Sequence, residues 1–280
     1  MRQFVGLQVA ILLALLIALP AYGQEDLEVV APAGAVEFSY KQMDANKLLV
    51  SAADSAGNPL RNLTTEDFVL MREGKQAQIL SAEPLETSKD VSLNIVMVVD
   101  NSASMRRRKA VAPIIEAMEN LYAIIRPIDN ISVVVFSDRE TMAFGDYGLH
   151  VKIKQSNQIE ELRTFIKESF DEGLTAKTVL YEGMLAGLSI LHGLSEDTHK
   201  FMVVFTDGED INSGFRGPVV EKAAEGLANF EAYAIDYMPA SGADPFLRSF
   251  SESHGGRIWK ASVAEDLVPI FQAVMSKLLY

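Results

Sequence analysis

From residue 93 onward the chain alternates between runs that are apolar at nearly every position and segments whose apolar residues recur every three or four places. The first run, Asn94-Ile95-Val96-Met97-Val98-Val99, has no polar face, so a strand there must be covered on both sides. Residues 131–136, 201–205, 232–235 and 257–260 are further strand candidates. Between them, Ile114, Met118, Leu121 and Ile125 form a stripe at helical spacing, and similar stripes occupy 159–166, 180–191 and 267–278. Buried strands alternating with helices predict an α/β fold, a doubly wound, mostly parallel sheet with helices on both faces.

Upstream of residue 91 the elements shorten. Residues 36–40, 48–53, 68–72 and 77–82 read as short strands, separated by the turn formers Ala56-Gly57-Asn58-Pro59 and Glu73-Gly74-Lys75. Residues 64–67 read as a capped helical turn. A small all-β, sandwich-like domain over residues 24–90 is therefore expected ahead of an α/β domain over 91–280. Within the first domain, 24–35 reads as a loose stretch and the polar segment 86–90 as the linker.

The first twenty-three residues follow a third pattern. Arg2 gives a positive start, residues 5–19 are almost uninterrupted apolar, and Ala21-Tyr22-Gly23 puts small residues at the exit. This is the layout of an export signal over residues 1–23, with Gln24 as the first mature residue. The run falls short of the roughly 20 apolar residues of a membrane span, and no later segment approaches that length, so no stable span is expected after cleavage.

Composition narrows the function classes. The formal charge of −13 disfavours a nucleic-acid or anionic-membrane surface. An exported chain without cysteine must be held by core burial alone, which fits a bacterial periplasm or exterior better than a disulfide-stapled extracellular module.

The chemistry gathers at strand ends. The first strand runs into Asp100-Asn101-Ser102-Ala103-Ser104, a carboxylate followed at alternate positions by two hydroxyls; the strand over 201–205 runs into Thr206-Asp207-Gly208; and Thr178 stands at the start of a helix. In a doubly wound sheet these ends share the carboxyl edge, where ligands bind. Carboxylates and hydroxyls without His or Cys are hard oxygen donors, suited to Mg2+, Mn2+ or Ca2+ rather than zinc. Two aspartates roughly balance a divalent charge, leaving room for an anionic oxygen from outside.

Asp100, Ser102, Ser104, Thr178 and Asp207 resemble, in order, the metal-ion-dependent adhesion site of von Willebrand factor A domains: Asp-x-Ser-x-Ser, a distant Thr, and a distant Asp in a Thr-Asp-Gly context. The resemblance covers about residues 93–280. It implies a divalent cation, Mg2+ first, held by those five residues, and a protein partner whose Asp or Glu completes the coordination. Ala103 stands where glycine is usual, and Leu174-Thr175-Ala176-Lys177 replaces a glycine-rich approach, which makes Thr175 a competing ligand. The upstream residues 48–85 are similar to the small β domain that precedes such domains in a group of exported bacterial proteins.

Two rival readings carry less. A structural scaffold subunit of an envelope assembly would use the metal only to brace loops. A phosphatase-like hydrolase would use Asp100 as nucleophile, but Ser102 stands where that chemistry wants a second acid, so the chain is not expected to be an enzyme. The basic run Arg106-Arg107-Arg108-Lys109 reads as an exposed helix face able to steer an acidic partner. Glu209 and Asp210 read as a solvated rim, and the four scattered histidines as satisfied or surface groups.

Overall fold

The protein is described by a computed structural model covering residues 11–17, 27–55, 60–85, 87–89, 91–122, 125–171, 178–196, 198–208, 210–238, 244–267 and 269–270. The chain divides into two compact units, the second running from residue 92 to 271.

The first unit contains the strands β1 (Ile11–Ile17), β2 (Leu27–Val30), β3 (Glu37–Asp44), β4 (Lys47–Ala53), β5 (Val69–Arg72), β6 (Lys75–Ala77) and β7 (Ile79–Pro84). They form two sheets, ordered β3-β4-β1-β7 and β2-β5-β6. Val29, Leu48, Val50, Phe68 and Leu70 make their shared core. The expected helical turn is a 3-10 turn, Thr65–Asp67, closed by a reciprocal capping box in which the Thr64 N–H donates to Asp67 Oδ2 at 2.7 Å. Two segments depart from the sequence expectation. Leu27–Val30, placed in a loose stretch, pairs antiparallel with β5. Ile11–Ile17, inside the expected signal, lies antiparallel between β4 and β7. A β-branched and leucine-rich run suits a strand between two neighbours as well as it suits the apolar stretch of a leader. The expected cleavage positions 21–24 and the turn at 56–59 lie outside the described residues.

The second unit is built on a six-stranded sheet: β8 (Leu93–Val99), β9 (Asn130–Phe136), β12 (Val151–Ser156), β13 (His199–Thr206), β14 (Phe230–Tyr237) and β15 (Ile258–Ala261), with a hairpin of β10 (Met142–Phe144) and β11 (Tyr147–Leu149) standing apart from it. The order is β12-β9-β8-β13-β14-β15, all parallel except β12. This is the expected doubly wound, mostly parallel α/β sheet. The antiparallel edge strand and the hairpin were not expected, because Val151–Ser156 alternates polar and apolar residues over too short a span beside two three-residue strands.

The described helices are α1 (Ala103–Arg107), α2 (Val111–Tyr122), α3 (Ile159–Asp171), α4 (Leu180–His192), α5 (Gly217–Ala224) and α6 (Pro245–Ser253). Val96, Val98, Val134, Phe136, Met202 and Val204 share one core with α4, α5 and α6, while the alternate residues Ile95, Met97, Ile131 and Val133 are equally buried on the other face. Helix α4 lies flush on the sheet through two glycines one turn apart. A Cβ on Gly183 would stand 2.7 Å from the Phe136 ring and one on Gly187 2.8 Å from Met202 Cε, closer than carbon atoms approach. The stripe over 267–278 extends outside the described residues.

Candidate metal centre at the carboxyl edge of the sheet

Strands β8 and β13 are neighbours at the point where strand order reverses, and their register sets Val99 beside Phe205. One residue further, Asp100 continues the ladder by donating its N–H to the Phe205 carbonyl at 2.9 Å. Its carboxylate is wholly enclosed. Oδ1 accepts the Ser102 N–H and Oδ2 the Thr206 hydroxyl, each at 2.7 Å. Burial still pushes the Asp100 pKa up to about 6 against the pull of those bonds, with the nearby Asp207 charge adding to the rise.

Ser102 occupies the N-cap position of α1, yet its side chain makes no capping bond. Instead its Oγ lies 2.9 Å from Ser104 Oγ, and the Ser104 hydroxyl donates to Asp207 Oδ1 at 2.9 Å. The serines are therefore turned toward the second aspartate, and Ser102 is not spent on capping the helix end.

The other oxygen of Asp207 is buried without an aligned hydrogen bond, and the Arg108 guanidinium lies 2.6 Å from it. That guanidinium directs its hydrogen bond to the main-chain carbonyl of Asp207, at 2.9 Å. Arg108 is held in turn by the Tyr237 hydroxyl, which donates to the Arg108 carbonyl at 2.9 Å. Burial raises the Asp207 pKa, opposed by the Ser104 bond and the arginines. The basic run is thus not one exposed face. Helix α1 stops at Arg107, Lys109 turns through a positive φ of 57°, and Arg108 points inward, whereas Arg107 and Lys109 remain exposed.

Thr178 is buried just ahead of α4 and makes no hydrogen bond with the other four expected ligands. It is fixed by the segment that follows Asp207. Its carbonyl accepts the N–H groups of Ile211 and Asn212, both at 3.1 Å, and its own N–H donates to Asn212 Oδ1 at 3.2 Å. Asp210 accepts the Tyr181 N–H, Ser213 Oγ accepts the Glu182 N–H, and Glu182 accepts the Gly214 N–H, so the loop is laced along the first turn of α4. Thr175, the competing ligand, and Glu209 lie outside the described residues. Asp210 is not a solvated rim residue: its carboxylate also accepts the Ser213 hydroxyl, and burial raises its pKa.

Several residues here escaped sequence reasoning. Asp236, one strand over and paired in register with Thr206, is buried with Oδ1 unbonded, and burial pushes its pKa to about 6. A carboxylate inside the apolar run of β14 was the available signal. Asp244 caps α6 by accepting the Phe246 and Leu247 N–H groups and also takes the Tyr181 hydroxyl at 3.1 Å. The histidines behave as expected of satisfied groups: His150 Nδ1 lies 2.9 Å from buried Glu182, and His199 Nε2 lies 3.0 Å from Glu231.

Among the described residues no three His, Asp or Glu side chains converge as a metal cluster. The residues fit a hard divalent ion: the Asp and Ser donors are hard oxygens, the Ser102 hydroxyl is not spent on the helix end, and the Asp207 oxygen that faces Arg108 at 2.6 Å has no aligned hydrogen-bond donor.

The sequence model of the von Willebrand factor type A domain matches residues 94–267. The chain belongs to this family. Among solved structures, the von Willebrand factor A-type protein of Catenulispora acidiphila superposes with a TM-score of 0.51 at 14% identity, covering 99% of this chain and 51% of that one. The open form of the pilus adhesin SpaC from Lactobacillus rhamnosus GG gives 0.51 at 13% identity, over 69% of this chain and 30% of the adhesin. Proximal thread matrix protein 1 of the mussel byssus gives 0.50 at 17%, over 68% and 46%. The chain thus spans about half or less of each. At these identities the likeness concerns the fold. No curated protein matches the sequence.

Proposed function

We propose that the second unit is a metal-dependent protein-binding module, in which Asp100, Ser102, Ser104, Thr178 and Asp207 hold a divalent cation, Mg2+ before Mn2+ or Ca2+, and a partner protein supplies an Asp or Glu carboxylate. The observation that carries this is the bonded line Ser102–Ser104–Asp207 beside the enclosed Asp100, four hard-oxygen side chains joined across two neighbouring strand ends. When bound, the ion supplies an open coordination position that attracts an anionic oxygen. The chain's own residues do the rest. Asp100 and Asp207 provide the charge, the serines provide neutral donors, and the loop after Asp207 fixes Thr178. The presence of a pilus adhesin among proteins of this fold supports an adhesive or assembly role over catalysis. Residues 1–23 act as the export signal, placing the protein in the periplasm or outside the cell, with no nucleic-acid partner.

The test is a thermal-shift series on chelated protein with added Mg2+, Mn2+ and Ca2+, beside Asp100→Ala and Asp207→Ala, followed by a pull-down with and without EDTA. A melting point raised by metal in the parent chain and unmoved in both variants, together with EDTA-sensitive capture, is the expected result. A metal-dependent rise without metal-dependent capture would favour the scaffold reading, in which the ion only braces the laced loop.

A further inference from the structure

Beside the polar centre the same loop leaves large apolar side chains in the open. Ile211 is 74% exposed, although its N–H is bonded to the Thr178 carbonyl. Four residues on, Phe215 packs edge-on against Phe144 at 5.6 Å and against Tyr147 at 5.5 Å. Tyr147 is 66% exposed at the tip of the β10–β11 hairpin, directly across a two-residue Gly145-Asp146 turn whose glycine takes a φ of 60°. Because β9 runs parallel to β8, it ends at the edge that carries Asp100, and the hairpin follows from that end.

A single exposed isoleucine would mean nothing. Here, among the described residues of the second unit, the two most exposed large apolar side chains both belong to segments anchored at the metal edge. One is fixed to the threonine ligand and the other leans on the ring that ends the same loop. On the side of the centre formed by α1, Arg107 is exposed.

We propose that the partner is a protein segment whose acidic residue is flanked by a bulky apolar one, the carboxylate going to the metal centre and the apolar side chain lying on Ile211 and Tyr147. This rests on the metal-capture reading and adds its specificity. Continuity supports it: the loop that supplies Asp207 also presents Ile211 and reaches the hairpin through Phe215. A carboxylate alone would be taken equally from any acidic surface, whereas burying one large apolar side chain adds about tenfold or more in affinity.

The experiment uses two fluorescein-labelled decapeptides with a central Glu, one flanked by Leu and Phe and the other by Ser on both sides. Polarisation titrations are run in Mg2+ and in EDTA on the parent chain, Ile211→Ser and Tyr147→Ser, with Mg2+ affinity followed by calorimetry. In Mg2+ the parent is expected to bind the Leu/Phe peptide about tenfold tighter than the Ser peptide. Each variant should lose most of that difference while keeping its Mg2+ affinity and its weak binding of the Ser peptide. Equal, EDTA-sensitive binding of both peptides would overturn the apolar ledge and leave metal capture standing. An apolar preference that survives EDTA would overturn metal capture and the pairing with it. No binding of either peptide by Mg2+-loaded protein would overturn both.

Discussion

The two loops that meet at the carboxyl edge solve the same problem differently. After β8, the residues Asp100 to Ser104 gather their polar groups within five positions, and the Asp100 carboxylate accepts a main-chain N–H of the same loop and the Thr206 hydroxyl of the adjacent strand. After β13, Asp207 has an oxygen without an aligned donor, leans on Arg108, and is followed by a loop that hydrogen-bonds to the start of α4 and packs the Phe215 ring against the hairpin. The first loop is a preformed cradle. The second is a connector, and it couples one carboxylate to the position of Thr178 some thirty residues earlier in the chain.

The largest effect expected is on the cradle. Asp100→Ala removes the enclosed carboxylate and with it the partner of both Ser102 and Thr206, so Mg2+ affinity measured by calorimetry should fall by more than the 10- to roughly 100-fold typical of losing a supporting group around a metal. Retention of affinity would place the ion elsewhere.

Acid comes next. The folded pKa of Asp100 is about 6, above the ordinary 3.8, and that of Asp207 is also raised, in both cases chiefly by burial. The metal-free fold binds protons more tightly than the unfolded chain between those values, so its stability is greatest below about pH 4 as far as these groups are concerned and declines as pH rises through 6. Metal requires the ionised forms. The melting-point rise on adding Mg2+ should therefore be largest near pH 7.5 and shrink below pH 6, and a rise independent of pH would remove these carboxylates from the site.

The connector offers a change of opposite sign. Arg108→Gln removes the positive charge beside Asp207 while keeping a donor for the main-chain carbonyl, and Mg2+ affinity should increase, by up to about tenfold for an ion pair that is partly exposed. A decrease would make the arginine a brace, not a competitor. Asn212→Ala is the mildest test, since it cuts one side-chain bond to Thr178 and spares the main-chain pair. A twofold to roughly fivefold loss of partner capture with little change in melting point is expected from one such hydrogen bond.

What the sequence made legible follows the same division. The apolar runs at 94–99 and 201–205 announced buried parallel strands because burial on both faces forbids polar alternation, and the Asp-x-Ser-x-Ser spacing is a local pattern that the cradle keeps. The connector was opaque because its bonds join residues separated by some thirty positions. Asp210, taken for a solvated acid, is committed to Tyr181 and Ser213, and Arg108 looked like one of four equivalent cations until the positive φ at Lys109 broke the helix. The β10–β11 hairpin and the edge strand β12 are too short and too polar for periodicity to reveal. In the first unit the same seven residues, Ile11–Ile17, satisfy two physical descriptions, an export leader and a sheet strand. Mass spectrometry of the exported chain decides between them: a start near Gln24 supports the leader, and a retained Ile11–Ile17 supports the strand.

The seating of α4 on the sheet has a consequence for inherited change. Gly183 and Gly187 hold the helix where a single added methyl group would collide with Phe136 or Met202, and relieving the collision requires the facing side chain to move or the helix, whose leading end carries Thr178, to lift. Variation at two buried, chemically inert positions would thus be felt as a defect in ligand capture. A survey that scored residues by their reactivity would pass over both glycines, while a screen for lost adhesion would find them.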